Sequence, residues 1–226
     1  LNTVTQDIQS NNIEEELLST YLTNAGYSKT HISRILDIFK KETDNLQRSL
    51  YGTNKAVYNL LRYGVDIKTE AGKVTDKVLL IDWTHPEKNH FAIAEEVTLI
   101  GNHERRPDLV IYINGIAIGV IELKNSRVSI GNGIRQLISN QKKEFNQWFF
   151  STVQIVFAGN DSEGLKYGTI NTEEKMFLQW KENENDNVDY KLDKYLKIIC
   201  EKNRLLEIIY DFIIFDGKKK IPRQHQ

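Results

Sequence analysis

The stretch RPDLVIYINGIAIGVIELKN, residues 106–125, decides the fold of this chain. Two apolar runs flank Asn114-Gly115, and an Asn-Gly pair between such runs is a strong signal for a β-hairpin. The second run, residues 116–121, is apolar at both odd and even positions, which is typical of a strand in a sheet that is covered on both sides. The stretch therefore predicts a buried hairpin with charged residues at its outer ends.

Glu122 and Lys124 end the second strand two residues apart, so their side chains are expected on the same face. Carboxylates hold a hard cation, and an ammonium group beside them can orient a water or offset charge in a transition state. An acid two residues before a lysine also recurs at 66–68 and 173–175, where it is an ordinary solvated pair. Because a charged pair at the end of an apolar strand is costly without partners, the sequence favours a functional site here.

The register of the hairpin decides whether Asp108 joins this pair. A two-residue loop would place Asp108 opposite Ile121 and turn Glu122 to the other face. A three-residue loop at 113–115, with its glycine in the left-handed conformation, would place Asp108 opposite Val120 on the face of Glu122. Since a one-residue slip reverses every side chain, a shared site predicts this bulged loop or an equivalent bulge elsewhere in the hairpin.

The composition allows one substantial domain, or one domain with the start of another, since 40% of the 226 residues are hydrophobic and 27% are charged. A net charge of -1 argues against a protein that coats nucleic acid through bulk positive charge. It does not exclude a nuclease, because a bound metal ion offsets the repulsion between acidic side chains and a negatively charged phosphodiester.

The single cysteine, Cys200, cannot form an internal disulfide, and the five histidines show no zinc-site spacing. No apolar run approaches the roughly 20 residues that span a bilayer, and the first residues lack the pattern of a secretory signal. These features predict a cytoplasmic protein without a membrane segment.

Helical periodicity covers about the first sixty residues, where Gly26 and Gly64 are expected to end helices. Strand patterns follow at 77–82, 91–100, 108–113, 116–124 and 153–157. Further helices are expected at 131–145 and, as one long element, at about 190–210. The acidic, asparagine-rich segment 181–189 is expected to be a solvated loop.

The segments RRPD (105–108), IYING (111–115) and VIELKN (120–125) together resemble the nuclease signature of type I restriction enzyme R subunits, and similarity extends over nearly the whole chain. This resemblance implies the restriction-endonuclease-like α/β fold of the PD-(D/E)xK class. That fold has a central mixed β-sheet flanked by helices, here with a helical N-terminus and a long C-terminal helix. The implied activity is that of a type I site-specific deoxyribonuclease, a Mg²⁺-dependent endonuclease acting on unmodified duplex DNA.

By the same resemblance, Asp108 and Glu122 bind Mg²⁺, the Leu123 backbone carbonyl completes the coordination, and Lys124 is the catalytic lysine. Gln136 matches the first position of a Gln-x-x-x-Tyr element beside the active site. Asn140 stands where the family has tyrosine, which puts a tyrosine-specific contact in doubt.

Related nucleases also use a glutamate on the first helix, and Glu14, Glu15 and Glu16 compete for that place. At 100° per residue, Glu14 falls nearest the middle of the apolar arc, so it is the one expected to face the sheet. The alternative is an acid placed in the first helical turn by the helix dipole.

The resemblance also divides the chain. Residues 1–216 are expected to form the endonuclease domain, and residues 217–226 to begin a linker into an ATP-driven translocase, with Gln226 in its adenine-reading element. The chain has no Gly-x-x-x-x-Gly-Lys-Ser/Thr loop, so ATP is expected to act only in the full-length subunit.

The implied partners are duplex DNA and the modification and specificity subunits of a type I complex. The lysines at 142–143 and 218–220 are expected to be solubilising faces, with DNA contact as the alternative. Two other functions stay open: a DNA-binding or structural module with a decayed site, and a standalone repair nuclease.

Overall fold

The computed structural model describes residues 2–4, 11–45, 47–68, 75–101, 103–180 and 190–223. Within these ranges the α-helices are α1 (Glu15–Asn24), α2 (Lys29–Thr43), α3 (Leu50–Tyr63), α4 (Ile130–Asn140), α5 (Lys191–Ile199) and α6 (Lys202–Phe212). The strands are β1 (Asn2–Val4), β2 (Val65–Lys68), β3 (Thr75–Val78), β4 (Phe91–Glu95), β5 (Leu109–Ile113), β6 (Ile116–Leu123), β7 (Ile155–Asn160), β8 (Gly164–Gly168), β9 (Leu178–Gln179), β10 (Ile214–Asp216) and β11 (Lys218–Lys220).

The described strands form a central sheet in the order β1-β4-β5-β6-β7-β8-β9. The pairs β1–β4 and β6–β7 are parallel and the other neighbours are antiparallel, so the predicted mixed sheet of an α/β protein is confirmed. The strand expected at 77–82 ends at Val78 and pairs with β2 outside this sheet.

Apolar cores lie on both faces of the sheet. One core combines side chains of β5 and β6 with those of α1, α2, α3, α5 and α6. The other lies under α4 and the segment at 149–153. Each core excludes water from one side of β6, which explains why that strand is apolar at consecutive positions.

Local sequence signals explain the helix ends near the sheet. The Ser129 side chain accepts a hydrogen bond from the Gly131 N–H at the start of α4, which satisfies one of the free donors of that end. Gly64 ends α3 at a φ of +83°, where a Cβ would come within 2.8 Å of the Val78 carbonyl oxygen.

The prediction of one long C-terminal helix is wrong, because α5 ends at Ile199 and α6 begins at Lys202. Glu201 adopts an extended ψ of 135° and its side chain accepts the Arg204 N–H, so it starts a new helix instead of continuing the first. None of the helices in the described ranges is long and apolar enough to cross a membrane.

Lys219 on β11 is buried, so the expectation of a solvated basic run at 218–220 is wrong at this position. Its Nζ donates to Gln154 Oε1 at 2.6 Å and to Asn54 Oδ1 at 2.8 Å, and burial lowers its pKa well below the ordinary value. The Tyr167 hydroxyl donates to the Pro222 carbonyl, so residues beyond 216 pack on the domain. The boundary at 216 stays a prediction, while the expected loop at 181–189 and Gln226 lie outside the described residues.

Candidate active site

The hairpin turn consists of Asn114 and Gly115 alone, with φ of 52° and 79°, and Ile113 pairs directly with Ile116. The predicted three-residue loop is therefore wrong. Asn114 is held in the turn because its buried side chain accepts the His90 N–H at 2.7 Å and donates to the Leu80 carbonyl at 3.0 Å. These contacts stabilise the left-handed conformation that asparagine tolerates better than most residues.

The alternative expectation, a bulge elsewhere in the hairpin, is confirmed. Tyr112 pairs with Ala117, but Ile111 pairs with Gly119, so Ile118 is the extra residue on β6. The packing shows the same shift, because the isoleucines at 116, 118 and 121 all belong to one core although their spacing changes from two to three. A regular strand would have sent the last of them to the other face.

This bulge brings the two carboxylates together. Leu109 pairs with Ile121, so Asp108 and Glu122 follow as the next opposed positions at the outer ends of β5 and β6. Asp108 Oδ2 accepts a hydrogen bond of 2.6 Å from the Leu123 backbone N–H, which ties the two strand ends together. Asp108 and Glu122 therefore share one end and one face of the sheet.

Glu122 is the most unusual of these residues, because its side chain is 0% exposed and neither carboxylate oxygen has a hydrogen bond among the described residues. Burial, and next the negative charge of Asp108, raise the pKa of Glu122 from 4.5 to about 8, while Lys124 acts in the opposite direction. The Lys124 Nζ lies 3.6 Å from Glu122 Oε2, which is an ion-pair distance longer than a hydrogen bond.

Lys124 is held by α4. Its Nζ donates to Gln136 Oε1 at 3.0 Å, so Gln136 contacts the site as the sequence predicts. Gly133 lies one turn earlier, where a Cβ would stand 3.5 Å from Lys124 Cγ and 3.6 Å from Glu122 Cβ. The helix therefore passes closely over the carboxylate and the lysine.

Asn140, which replaces the family tyrosine, is also on α4 and is 0% exposed. Neither side-chain polar atom has a hydrogen-bond partner in the described part of the chain. The structure therefore gives this side chain no role in the site.

Glu14 lies elsewhere. It is the residue before α1, its backbone N–H donates to the Gly115 carbonyl at the hairpin turn, and its side chain accepts the Asn11 N–H. The turn and Glu122 are separated by the length of β6, about 20 Å at roughly 3.3 Å per residue. Glu14 is half-buried whereas Glu15 and Glu16 are exposed, so it is the glutamate that faces inward, as expected. Its expected place beside the other site residues is wrong, because the chain enters α1 at the opposite end of the hairpin.

The donor set fits a hard divalent cation. Asp108 and Glu122 supply carboxylate oxygens, and the Leu123 residue between Glu122 and Lys124 carries a backbone carbonyl at the same strand end. Oxygen donors of this kind suit Mg²⁺, which commonly uses one or two carboxylates and keeps several waters. The fit is supported by the two Glu122 oxygens, which are buried and have no hydrogen bond in the described ranges. Within those ranges, no three Asp, Glu, His or Cys side chains are grouped so that they could hold a metal ion together.

Gly133 is a site residue that the sequence reasoning did not single out. The sequence feature that could have indicated it is a glycine inside an amphipathic helical pattern. Glycine destabilises a helix interior, so its presence there suggests that another part of the chain packs closely against the helix backbone.

Fold and site together define an α/β protein whose mixed sheet presents two opposed carboxylates and a lysine at the end of a bulged hairpin. Residues 2–175 match the family described as the type I restriction enzyme R protein N terminus, and the chain belongs to that family.

Two relatives are similar over most of the chain. The "Putative type I restriction enzyme MjaIXP endonuclease subunit" of Methanocaldococcus jannaschii is 29% identical over 221 residues, which cover 84% of this chain and 21% of that protein. The type I restriction enzyme HindI endonuclease subunit of Haemophilus influenzae is 25% identical over 212 residues, which cover 86% of this chain and 20% of that protein. The chain thus spans about a fifth of the length of these relatives.

Proposed function

We propose that this chain is the DNA-cutting part of a type I restriction enzyme R subunit and hydrolyses phosphodiester bonds of unmodified duplex DNA with Mg²⁺. The observation that carries the proposal is the buried Glu122 carboxylate, which has no hydrogen bond within the described part of the chain and lies opposite Asp108, with Lys124 Nζ 3.6 Å from its Oε2. Such a carboxylate is costly unless a cation compensates it, and its two neighbours are the groups that metal-dependent hydrolysis uses.

Asp108, Glu122 and the Leu123 carbonyl would hold the cation. When bound, Mg²⁺ supplies an acidified water and stabilises negative charge on the phosphate. The Leu123 N–H restrains Asp108 at 2.6 Å, so this ligand is oriented before any cation arrives. Preorganised ligands of this kind lower the reorganisation that the reaction requires.

Lys124 would orient the attacking water or offset charge that develops on the phosphate. Its side chain is 20% exposed, and its ammonium group donates to the Gln136 amide oxygen. Because a neutral amide holds the ammonium without neutralising it, the positive charge stays available to the phosphate. Gln136 is therefore a positioning residue for Lys124.

The rest of the reaction system follows from the family. In the proposed R subunit, an ATP-driven translocase delivers DNA to this site, and modification and specificity subunits select it. The activity belongs in the cytoplasm, where the proposed DNA substrate is located. Under this proposal Mg²⁺ serves this chain and ATP serves only the full-length subunit.

Plasmid cleavage by the assembled enzyme tests the proposal. Lys124→Ala is expected to abolish cleavage while ATP-driven translocation continues, because the motor does not use this site. Lys142→Ala, a change at an exposed lysine on the loop after α4, is the control and is expected to cut normally. Normal cutting by Lys124→Ala would favour a decayed DNA-binding module instead. Rapid ATP-independent cutting by the isolated chain, lost in Lys124→Ala, would favour a standalone nuclease.

A further inference from the structure

We propose that Asn160, Ser162 and Glu163, here called the β7 clasp, position Lys124 and α4 for the reaction. The inference rests on the proposed function and extends it to a turn that has no assigned role. The strands β6 and β7 are parallel, so their carboxyl ends meet at one edge of the sheet. Leu123 pairs with Gly159, and the Lys124 N–H donates to the Gly159 carbonyl at 2.9 Å.

Asn160 is the buried centre of the clasp. Its side-chain amide donates to the Val128 carbonyl at 2.8 Å, in the loop that connects Lys124 with α4. Its oxygen accepts the Glu163 N–H at 2.6 Å. The side chain thus fixes the turn and the loop against each other, and both of its polar ends are used.

Ser162 and Glu163 form further hydrogen bonds with the segment that follows Lys124. The Ser162 hydroxyl donates to the Ser126 carbonyl at 2.9 Å. Glu163 Oε1 accepts the Ile130 N–H at 2.9 Å, at the first turn of α4. That N–H is one of the free donors of a helix start, where the helix dipole also favours a carboxylate. The clasp therefore contacts residues 126 and 128 of the loop and residue 130 at the start of α4.

The segment held by the clasp connects Lys124 with α4, the helix that carries Gln136. It begins directly after Lys124 and ends at α4, which brings Gln136 to the Lys124 ammonium and Gly133 against Glu122. A shift of α4 would displace Gln136 from its 3.0 Å contact with Lys124. Small displacements matter here, because a misplacement of about 1 Å can cost roughly 100-fold in rate.

Glu163→Ala, Glu163→Gln and Ser162→Ala in the assembled enzyme test the clasp. Glu163→Ala is expected to lower kcat for DNA cleavage about tenfold or more, with KM for DNA within about twofold, since positioning is lost and DNA affinity is not. Glu163→Gln keeps the acceptor oxygen and is expected to restore kcat. Ser162→Ala is expected to give a smaller loss in the same direction.

The matched control is Glu174→Ala. Glu174 also contacts α4, through an ion pair with Arg135 of 2.6 Å, but it lies outside the clasp. Its removal is expected to leave kcat unchanged. Amide hydrogen exchange supplies a readout that does not depend on activity: peptides covering 125–131 are expected to exchange faster in Glu163→Ala, with exchange in β6 and β7 unchanged.

Each result decides one claim. Unchanged exchange at 125–131 in Glu163→Ala, or wild-type kcat in that variant while Lys124→Ala is inactive, overturns the clasp and leaves the proposed function intact. A joint rise in KM and fall in melting temperature, without rescue by Glu163→Gln, also overturns it, because the defect is then structural. Normal cutting by Lys124→Ala refutes the proposed function and with it the role of the clasp in catalysis.

Discussion

Asp108 and Leu123 are joined across the ends of two strands by a hydrogen bond of 2.6 Å, from the Leu123 backbone N–H to Asp108 Oδ2. Leu123 is the residue that separates Glu122 from Lys124 in the sequence. The bond therefore fixes Asp108 to the strand that carries the other two residues of the proposed site. Their relative positions depend on a sheet hairpin and not on a loop, which is the arrangement a preorganised metal site requires.

Glu122→Gln is expected to stabilise the metal-free protein at high pH. The folded-state pKa of Glu122, about 8, lies above its ordinary value of 4.5, so the folded state binds this proton more tightly than the unfolded state. The contribution is full below pH 4.5 and is lost as the pH rises through 8. Urea unfolding in chelator should show Glu122→Gln more stable than wild type at pH 9 by up to about 5 kcal/mol, with a much smaller difference at pH 5.

Mg²⁺ or Ca²⁺ is expected to raise the melting temperature of the wild-type chain, because a cation that binds only the folded state stabilises it. At 100 times the dissociation constant the gain is about 2.7 kcal/mol. Scanning calorimetry at pH 8 should show the gain in wild type and its loss in Glu122→Gln. Equal gains in both proteins would place the cation elsewhere. A Mn²⁺ soak of crystals should show the ion between Asp108 and Glu122.

Gln136→Ala is expected to reduce kcat for DNA cleavage by the assembled enzyme about tenfold, since Lys124 loses the oxygen that orients it. KM for DNA should change little. The matched variant Gln136→Asn keeps a neutral amide acceptor, one methylene shorter, and should retain more activity than Gln136→Ala. If the two variants lose kcat equally, the amide oxygen does not position Lys124.

Lys219→Met is expected to flatten the pH dependence of stability between neutral pH and pH 10. The pKa of Lys219 is lowered by burial, so the unfolded state holds its proton to a higher pH than the folded state. In that window stability rises with pH, and removal of the amine removes the slope. Urea unfolding of wild type and Lys219→Met at pH 7 and pH 10 measures this slope. Lys218→Met, a change at an exposed lysine, is the control. Parallel slopes would show that Lys219 keeps an ordinary pKa.

The isolated chain is expected to cut DNA poorly, because a net charge of -1 gives little non-specific affinity for the phosphate backbone. Filter binding at about 50 mM and 200 mM salt should detect only weak association in both conditions. Tight, strongly salt-dependent binding by the isolated chain would contradict this expectation.

Much of the site could be predicted from the sequence because strand periodicity is local. The two-residue spacing of Glu122 and Lys124 already placed them on one face, and the need for a bulge followed from counting residues to Asp108. That the turn itself is tight and the bulge lies elsewhere could not be predicted, because the turn is held by contacts of Asn114 with His90 and Leu80, which are distant in the sequence.

Two other errors have the same origin. Helical periodicity correctly selected Glu14 as the inward-facing glutamate, but it could not show that α1 starts at the hairpin turn, where the Glu14 N–H donates to the Gly115 carbonyl, far from Glu122. The basic run at 218–220 appeared solvated by composition, but the Asn54 and Gln154 oxygens provide a buried acceptor pair for Lys219. In both cases a tertiary contact outweighed the local pattern.

The extra residue at Ile118 also has a genetic consequence. Because β6 has an apolar core on each side, a one-residue shift would exchange one set of buried side chains for another at little loss of burial. A single-codon deletion between Asp108 and Glu122 could therefore leave a folded protein whose acids point to opposite layers. A change in hairpin length, and not only a change of the charged residues, could thus abolish the proposed DNA cleavage while the protein still folds.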